Sequence, residues 1–564
     1  MTLYDNYFLR LQSLVFGITL GPGARRSVRR WGRRRPGAAR QAAELGYIMA
    51  IAIAAHSPVP IQQRESLMHL NVPEPIYDAN PGYLELYDLA WRLAHDHIRS
   101  IDGMPQNPYM DEAFCDTRIW IWDTCFMALF CKFAPDIFPG VESFRNLLDV
   151  IHGDATLPNI LVPADEPSWT GAVPGTHAPI LIQHPDNPPL FAWAELETVL
   201  MTGDLNRIRH LLHDTRILQR HYDWLEAMHE PYTGGGVPTA WRARPDGYLW
   251  CGICSGMDNT PRGRASRQET GYPTRPFLWL DALAQQALSA DCIAQLATLI
   301  GDEDLAHTWR LRHQQKTQLI QSLYWDEQDG FFHDIDAETH AHLPICTPAG
   351  FWPLLAGAAT QPQADRCAEK VASPDLLGGQ TPWVSLARND AMFEPAHGQY
   401  WRGAVWVPTA YAGCRGLIRY GHRDLAAQTT AAILDTMLET YRSYDPHTIW
   451  ECYSPSLPEP GRDARDQRRV RPDFCGWSAL LPIAGLIENV IGLHHANALT
   501  RQLHWDTPKT IRGRLGCRNY RFADITANLC IENGRCTVEA DADFTLVLNG
   551  VPHPIHRRDA FTLD

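Results

Sequence analysis

Two carboxylates stand in loop-like stretches of the sequence and are candidates for acid–base chemistry. Asp258 lies in SGMDNTPR, between small residues and a turn-forming Asn-Thr-Pro, and Glu451 lies in WECYSP. A protonated carboxyl group and a carboxylate that activates water hydrolyse a glycosidic bond with inversion when about 6.5–9.5 Å separates them. The two residues are 193 positions apart, so only a fold that closes on itself brings them face to face. A plainer reading is that Asp-Asn before Pro makes a turn and caps the next helix.

Several other loop-like stretches combine an aromatic side chain with a polar one. A flat ring covers the C–H face of a sugar while polar groups bond its hydroxyls, so this combination is typical of sugar pockets. Each residue also has a structural explanation: Asp123 as a helix cap, Arg402 as a buried cation, Glu451 as a solvated loop acid. Repetition over five or six loops favours binding. The candidate binding residues are Arg118, Trp122, Asp123, Gln183, Tyr400, Trp401, Arg402, Trp450 and Trp477.

The composition restricts the class of partner. The chain has 564 residues, of which 45% are hydrophobic and 20% charged, as in ordinary globular proteins. A net charge of −14 argues against a nucleic-acid partner. Fourteen scattered cysteines, many in apolar runs, predict reduced thiols and favour the cytoplasm, with the periplasm or secretion as alternatives.

No metal or cofactor is predicted. The pair Cys251 and Cys254 has C-x-x-C spacing, but no second pair or nearby histidine completes a zinc set. Acid–base hydrolysis requires no cofactor, and the sequence leaves a structural cation open. The sequence does not specify the oligomeric state.

Residues 1–60 differ from the remainder of the chain. Eight arginines fall between positions 25 and 40, and the apolar run YIMAIAIAA follows at 47–55. This order resembles a secretory signal in an unusually late position, and it equally fits a disordered basic extension. The apolar run is too short to span a bilayer, and no other segment approaches a membrane span.

The elements that must position the candidate residues are mainly helical. Between about 80 and 500, apolar residues recur with helical spacing and predict eleven or twelve helices, several of them apolar on most of their circumference. That number of helices in antiparallel pairs predicts an (α/α)6 barrel with the candidate loops at its mouth. Over 505–564 the spacing changes to period two with ENG and LNG turns, which predicts a small β-rich C-terminal module.

Taken in this order, the stretches resemble glycoside hydrolase family 63 and its trehalase-like relatives, the six-hairpin glycosidases. The resemblance covers roughly 110–500 and rests on WIWDTCF, SGMDNTPR, YWRGAVW, WECYSP and FCGWSAL. It implies an (α/α)6 barrel and inverting hydrolysis of an α-glycoside. It makes Asp258 similar to the family's general acid and Glu451 similar to its general base. The residues that it places around the sugar nearest the cut are Trp122, Asp123, Gln183, Trp401 and Arg402.

The chain also departs from that family. There is no room for a large N-terminal β-domain before residue 80, and Cys254 stands where relatives often carry an acidic or larger residue. The stretch 455–473 is longer and more basic than expected, which fits either an anionic aglycone such as glycerate or a solvated surface loop. These departures affect the prediction of the substrate and not that of the reaction. We expect the protein to be an α-glucosidase that acts on a di- or oligosaccharide or on a glycosyl-glycerate.

Two other classes of function fit parts of the pattern. An epimerase or polysaccharide lyase on the same barrel would use a pair of histidines as acid and base, whereas the histidines here are scattered outside both carboxylate motifs. A non-catalytic carbohydrate-binding protein would keep the aromatic residues and could dispense with both carboxylates. The sequence favours an exo-acting inverting glycosidase over both.

Overall fold

The computed structural model describes most of the chain beyond residue 70. The described residues are 71–100, 104, 106–111, 119–148, 160–162, 180–182, 187–230, 240–264, 275–464, 467–557 and 561–563. Arg118, Gln183 and the predicted extension 1–60 lie outside them.

Helices are the most abundant regular element in this part, and their order follows the apolar periodicity of the sequence. They are α1 (Gly82–Asp96), α2 (Ile121–Cys131), α3 (Gly140–Leu148), α4 (Phe191–Thr202), α5 (Leu205–Arg209), α6 (Ile217–Ala227), α7 (Gly252–Ser255), α8 (Leu280–Leu299), α9 (Glu303–Leu319), α10 (Trp352–Leu355), α11 (Gln361–Ala372), α12 (Val407–Arg419), α13 (Arg423–Ser443) and α14 (Leu481–Ile491). α14 has the wider π-type hydrogen bonding, as do short continuations of α5 and α9. None of these helices is long and apolar enough to cross a membrane.

The helices fall into a buried set and a half-exposed set. All eleven residues of α14 are buried, and α2, α4, α8, α10 and α12 are nearly as fully covered. By contrast α9 buries only Ala306 and Trp309, as expected for a helix with one face in water. The buried helices contact one another in chain order, α2 to α4, then α8, α10, α12 and α14, and α14 also contacts α2.

The half-exposed helices lie between the buried ones in sequence and pack against them. α3 packs on α2, α9 on α8, and α13 on both α12 and α14, while α1 contacts α13 and α14. A polar face outside and an apolar face inside is the pattern that places a helix in an outer layer. In the described part of the chain, half-exposed helices thus pack on the outside of buried ones.

Strands are short among the helices and longer at the C-terminal end. They are β1 (Glu74–Tyr77), β2 (Ile98–Arg99), β3 (Tyr109–Met110), β4 (Ile119–Trp120), β5 (Ile160–Val162), β6 (Ile180–Ile182), β7 (Arg242–Arg244), β8 (Gly247–Leu249), β9 (Phe277–Leu278), β10 (Trp325–Asp326), β11 (Phe331–Phe332), β12 (Asp334–Asp336), β13 (His342–Leu343), β14 (Leu493–Asn497), β15 (Gln502–Trp505), β16 (Leu515–Phe522), β17 (Ile525–Glu532), β18 (Arg535–Ala540), β19 (Phe544–Leu548), β20 (Val551–Ile555) and β21 (Phe561–Leu563).

The C-terminal strands form two sheets. The first has the order β1-β16-β17-β18-β21, and β1 joins it antiparallel with Glu74 opposite Arg518. The second has the order β14-β15-β19-β20, in which β15 and β19 run parallel. Burial alternates along β17, as period-two spacing requires. The predicted mainly helical class with a strand-rich C-terminal region is confirmed.

A buried ion network fixes the chain segment that carries Asp258. The Arg262 guanidinium is 1% exposed and donates two hydrogen bonds to Asp281, at 2.6 and 3.0 Å, at the start of α8. Its Nε donates to Asp334 of β12 at 2.8 Å, and the guanidinium lies 4.5 Å from the centre of the Trp279 ring. Because one buried cation bonds two buried carboxyl groups, displacement of this segment would leave these groups buried without their partners.

We expect Arg262→Met to lower the free energy of unfolding by about 3–5 kcal/mol, because two carboxylates would stay buried without their cation. The control is Arg310→Met, which removes an exposed pair with Glu303 and should cost under about 1 kcal/mol. Urea denaturation of both variants measures the difference. Equal losses would contradict the anchoring role of Arg262.

Candidate active site

Asp258 lies on a turn that a glycine holds against a neighbouring helix. α7 ends at Gly256, which has the left-handed φ of 80°. A Cβ on Gly256 would lie 2.8 Å from Cε2 of Trp122, so only glycine allows this approach. Trp122 is in the first turn of α2, and the contact therefore joins the SGMDNTPR stretch to the WIWDTC stretch.

Asp123 shows that the two separated carboxylates meet at this place. It is 5% exposed, and burial raises its pKa well above the usual range although its own backbone N–H bonds the carboxylate. The charges of Glu451 and Asp258 raise that pKa further, and the charge of Arg471 lowers it. Three carboxyl groups from three distant parts of the chain therefore lie near one another, because the charge of one carboxylate affects the pKa of another mainly at short range.

Glu451 is held by hydrogen bonds on its backbone and on its side chain. It is 3% exposed; the hydroxyl of Tyr400 donates to its Oε1 at 2.8 Å, and the backbone N–H of Arg471 donates to its Oε2 at 3.2 Å. Its own N–H donates to the carbonyl of Arg471 at 3.0 Å. Its carbonyl accepts from Trp477 Nε1 at 2.8 Å and from Ser478 Oγ at 3.2 Å.

Two opposing effects act on the ionisation of Glu451. Burial raises its pKa above the ordinary value for glutamate. The positive charge of Arg471, the Tyr400 hydrogen bond and the Arg471 backbone N–H lower that pKa in turn. A buried carboxylate with these donors accepts a proton more readily than one in water, yet it keeps a defined orientation.

An aromatic cluster supports the loop next to Glu451. The rings of Trp401 and Trp406 stack with centres 4.2 Å apart and planes 5° from parallel. Tyr400 meets Trp406 edge-on at 4.7 Å, and Trp477 packs on Trp406 at 5.7 Å. Because Trp477 also bonds the Glu451 carbonyl, the cluster connects the loop at 400 with the loop at 451.

Arg402 offers an uncommitted donor inside this cluster. It is 3% exposed, its Nε donates to the carbonyl of Asn259 at 3.3 Å, and its Nη2 has no hydrogen-bond partner among the described residues. Burial lowers its pKa, while the charge of Asp390 raises it. A buried guanidinium N–H left without a partner is a donor that a substrate oxygen can use.

The structure thus brings most of the predicted residues to one place. Trp122 contacts the turn that carries Asp258, and the charges of Asp258 and Glu451 act on Asp123 and Tyr400. Next to these residues lie Trp401, Arg402 and Trp477. Trp450 is next to Glu451 in the chain, but its buried ring meets Tyr444 edge-on at 6.0 Å.

Sequence reasoning misses two residues at the site, Asn259 and Arg471. Asn259 belongs to the SGMDNTPR stretch, where Asn before Thr-Pro indicates only a turn. Arg471 lies in the basic stretch 455–473, and its pairing with Glu451 depends on a hairpin bridged at Arg462 and Arg469. The amide beside a candidate acid was a usable signal for Asn259, whereas nothing local marks Arg471.

The described residues contain no group of three or more His, Cys, Asp and Glu side chains placed to hold a metal ion. What they contain is a set of buried carboxyl groups with raised pKa values, hydroxyl and guanidinium donors, and aromatic rings. Such a set can transfer protons at a bound polar molecule.

Comparison with known proteins identifies the chemistry. Residues 117–467 match the family model of the mannosylglycerate hydrolase MGH1-like glycoside hydrolase domain, a span that contains both Asp258 and Glu451. The chain belongs to this family. Its matched region is therefore a glycoside hydrolase domain, and the predicted resemblance to glycoside hydrolase family 63 is confirmed.

Individual relatives agree with this family. An uncharacterized protein from Borreliella burgdorferi is 27% identical over 324 residues, which are 57% of this chain and 62% of the relative, so the chain spans less than two thirds of that protein. The family 63 mannosylglycerate hydrolase of Thermus thermophilus, solved with glucose, is 20% identical with a TM-score of 0.53 over 71% of this chain and 99% of its own. A family 78 rhamnosidase from a Bacillus species is 13% identical with a TM-score of 0.53 over 85% and 42%. Both structures share the fold.

We expect Gly256→Ala to reduce kcat/KM by about tenfold or more, because the new Cβ displaces Trp122 from the site. The matched control is Gly421→Ala, which has a φ of 82° but open space around its Cβ, so it carries the same backbone strain without the clash. Kinetics together with thermal unfolding of both variants test the expectation. If both substitutions lower kcat/KM equally, the contact with Trp122 has no role at the site.

Proposed function

We propose that this glycoside hydrolase is an exo-acting enzyme that cleaves an α-glycosidic bond with inversion of the anomeric configuration. Its expected substrates are α-glucosides, either a di- or oligosaccharide or a glycosyl-glycerate. The observation that carries the proposal is a set of hydrogen bonds that puts both carboxyl groups in one site: Asn259, next to Asp258, bonds the loop around Tyr400, and the Tyr400 hydroxyl bonds Glu451. Retaining and inverting glycosidases both require such a pair of carboxyl groups.

We infer that the helices close into an (α/α)6 barrel with this site at its mouth. Six buried helices contact one another in chain order, and the contact between α14 and α2 supports closure of the ring. The site residues support its position, because they lie in loops or first turns that precede or follow buried helices. The barrel would comprise about 80–500, with 505–564 as the β-rich C-terminal module.

In the proposed reaction Asp258 is the general acid. Its half-buried position gives the carboxyl group access to the leaving oxygen of a bound glycoside. As the bond between the anomeric carbon and that oxygen breaks, the proton of Asp258 passes to the oxygen. The aglycone leaves as a neutral alcohol, and Asp258 is left as a carboxylate.

Glu451 is the general base in this scheme. It removes a proton from a water molecule as the water oxygen bonds the anomeric carbon from the opposite face. The Tyr400 hydroxyl and the Arg471 N–H both donate to the Glu451 carboxylate, which keeps it ionised and oriented before the reaction. The two carboxyl groups regain their starting protonation when a proton passes from Glu451 to solvent and from solvent to Asp258.

The remaining polar groups suit the recognition of one sugar ring. Asp123, whose pKa is raised by burial, presents a carboxyl group to sugar hydroxyls without adding a full charge. Arg402 supplies a donor, and Trp122 supplies an aromatic surface at the entrance. The Thermus thermophilus relative is named a mannosylglycerate hydrolase and was solved with glucose, so both a glycosyl-glycerate and glucosides belong among the substrates to be tested.

We expect the enzyme to release the β-anomer first from one of six α-glycosides: kojibiose, nigerose, trehalose, isomaltose, glucosylglycerate or mannosylglycerate. Direct displacement by water inverts the α-configuration, and mutarotation follows only later. A proton NMR time course records the first sugar signal. Initial release of the α-anomer would contradict the roles of Asp258 and Glu451, and tight binding of a glycoside without cleavage would favour a binding protein.

We expect Asp258→Asn and Glu451→Gln each to lower kcat on a natural glycoside by about 10²–10⁴-fold or more, because each removes one proton-transfer step. Both variants should keep the wild-type unfolding temperature. Asp435→Asn is the control, since Asp435 accepts a hydrogen bond from Tyr83 away from the site.

An α-glycosyl fluoride separates the two roles. Fluoride leaves with little help from an acid, so Asp258→Asn should recover much of its rate on this substrate while Glu451→Gln should not. Recovery in the opposite variant would exchange the acid and the base, and wild-type turnover in either variant would refute the proposal.

A further inference from the structure

Asn259, the residue after Asp258, connects the loop of the acid with the loop next to the base. Its Nδ2 donates to the carbonyl of Gln399 at 2.9 Å, and its Oδ1 accepts from the N–H of Trp401 at 2.7 Å. Its backbone carbonyl accepts from Arg402 Nε at 3.3 Å. Asn259 is 0% exposed, so water does not compete for these bonds. An amide side chain suits this place because it carries a donor and an acceptor together.

The loop that Asn259 holds has an unfavourable backbone conformation. Gln399 has a φ of 34° and Tyr400 a φ of 66°, on the left-handed side that residues with a Cβ seldom adopt. Such a conformation persists only where the surroundings impose it. Asn259 bonds the peptide groups before and after Tyr400, and Trp406 Nε1 donates to the Tyr400 carbonyl at 3.2 Å.

This conformation directs Tyr400 to the base. The Tyr400 hydroxyl donates to Glu451 Oε1 at 2.8 Å, so three links join the two catalytic carboxyl groups. Asp258 is bonded covalently to Asn259, Asn259 holds the peptide groups around Tyr400, and Tyr400 bonds Glu451. Rotation of either loop alone would break at least one of these bonds.

We propose that Asn259 is a positioning residue that imposes the strained turn at Tyr400 and so couples the loop of Asp258 to Glu451. This inference rests on the proposed function, in which Asp258 is the acid and Glu451 the base. In this proposal Asn259 affects the reaction by positioning Tyr400 and Glu451, and it does not contact the substrate. The spacing of acid and base then depends on one buried amide rather than on two independent loops.

The ionisation of Glu451 reports on this coupling. The Tyr400 hydrogen bond lowers the pKa of Glu451, whereas burial raises it. Losing that bond therefore raises the pKa of the base, and the acid limb of kcat/KM, which follows ionisation of the base, moves to higher pH. The titratable groups that act with Glu451 at this site are Asp123, Asp258, Tyr400, Cys452, Asp463 and Arg471, and Asn259→Ala changes none of them.

The experiment is a double-mutant cycle read by pH profiles of kcat/KM in the full chain. Tyr400→Phe and Asn259→Ala should each move the acid limb upward, by about one pH unit for loss of a hydrogen bond to a charged group. If Asn259 acts through Tyr400, Asn259→Ala adds no further shift in the Tyr400→Phe background. Asn259→Ala should lower kcat more than it changes KM, because Asn259 is not among the residues proposed to hold the sugar.

Controls separate positioning from general destabilisation. Asn489→Ala removes another buried amide, whose Nδ2 donates to Thr430 in the packing of α13 and α14, and should lower stability without moving the acid limb. Tyr83→Phe removes a tyrosine–carboxylate bond elsewhere and should likewise leave the profile in place. If Asn259→Ala does not fold, Asn259→Ser, which keeps one polar atom but not the two-sided bond, takes its place.

The outcomes distinguish the two proposals. An acid limb that stays in place in the Asn259 variants, or shifts that add in the double variant, would overturn the positioning role while leaving inversion intact. If the wild-type enzyme releases the α-anomer first, the proposed function fails whatever the Asn259 variants do. An acid limb displaced by Asn259→Ala and by Tyr400→Phe, but not further by both, supports the coupling.

Discussion

The burial of several carboxyl groups close together is the main physical constraint on this structure. A buried carboxylate is stable only where hydrogen bonds or positive charge replace its hydration, and a second carboxylate nearby increases the cost. Asp123 and Glu451 are both at most 5% exposed, and both respond by raised pKa values. The loops around them are arranged so that at least one of these groups can still ionise.

The compensation at Glu451 comes from the positive charge of Arg471 and from neutral hydrogen-bond donors. Glu451 receives one bond from a tyrosine hydroxyl and one from a backbone N–H, and the nearby guanidinium of Arg471 adds charge. Elsewhere the chain uses full ion pairs for buried acids, as between Arg262 and its two aspartates.

Local patterns in the sequence predict many of the helices and strands and most of the candidate site residues. The helix at 280–299 follows from apolar residues that recur with helical spacing, and period-two spacing indicates the strands of 515–540. Aromatic residues beside polar residues in loop-like stretches indicate Asp258, Glu451 and their neighbours. This signal is visible because the residues that form it are adjacent in the sequence. Contacts between distant segments are not visible in such patterns, which is why the pairing of Arg471 with Glu451 and the two-sided bond of Asn259 appear only in the fold. Helical spacing also does not show where α9 ends: its α-helical part stops at Leu319, a π-type turn follows, and a strand begins at Trp325.

The strand at Glu74–Tyr77 has a consequence for how the chain reaches its native state. It pairs with β16, and Glu74 bonds Arg518, which is 444 positions later. During synthesis this early strand therefore has no partner strand until the described helices have been made and β16 follows them. An unpaired edge is a site of misassociation between nascent chains, and its short length of four residues limits that hazard. Completion of the sheet is thus a late step in biogenesis, and a ribosome that stalls before residue 515 leaves the first segment of the described chain without its partner.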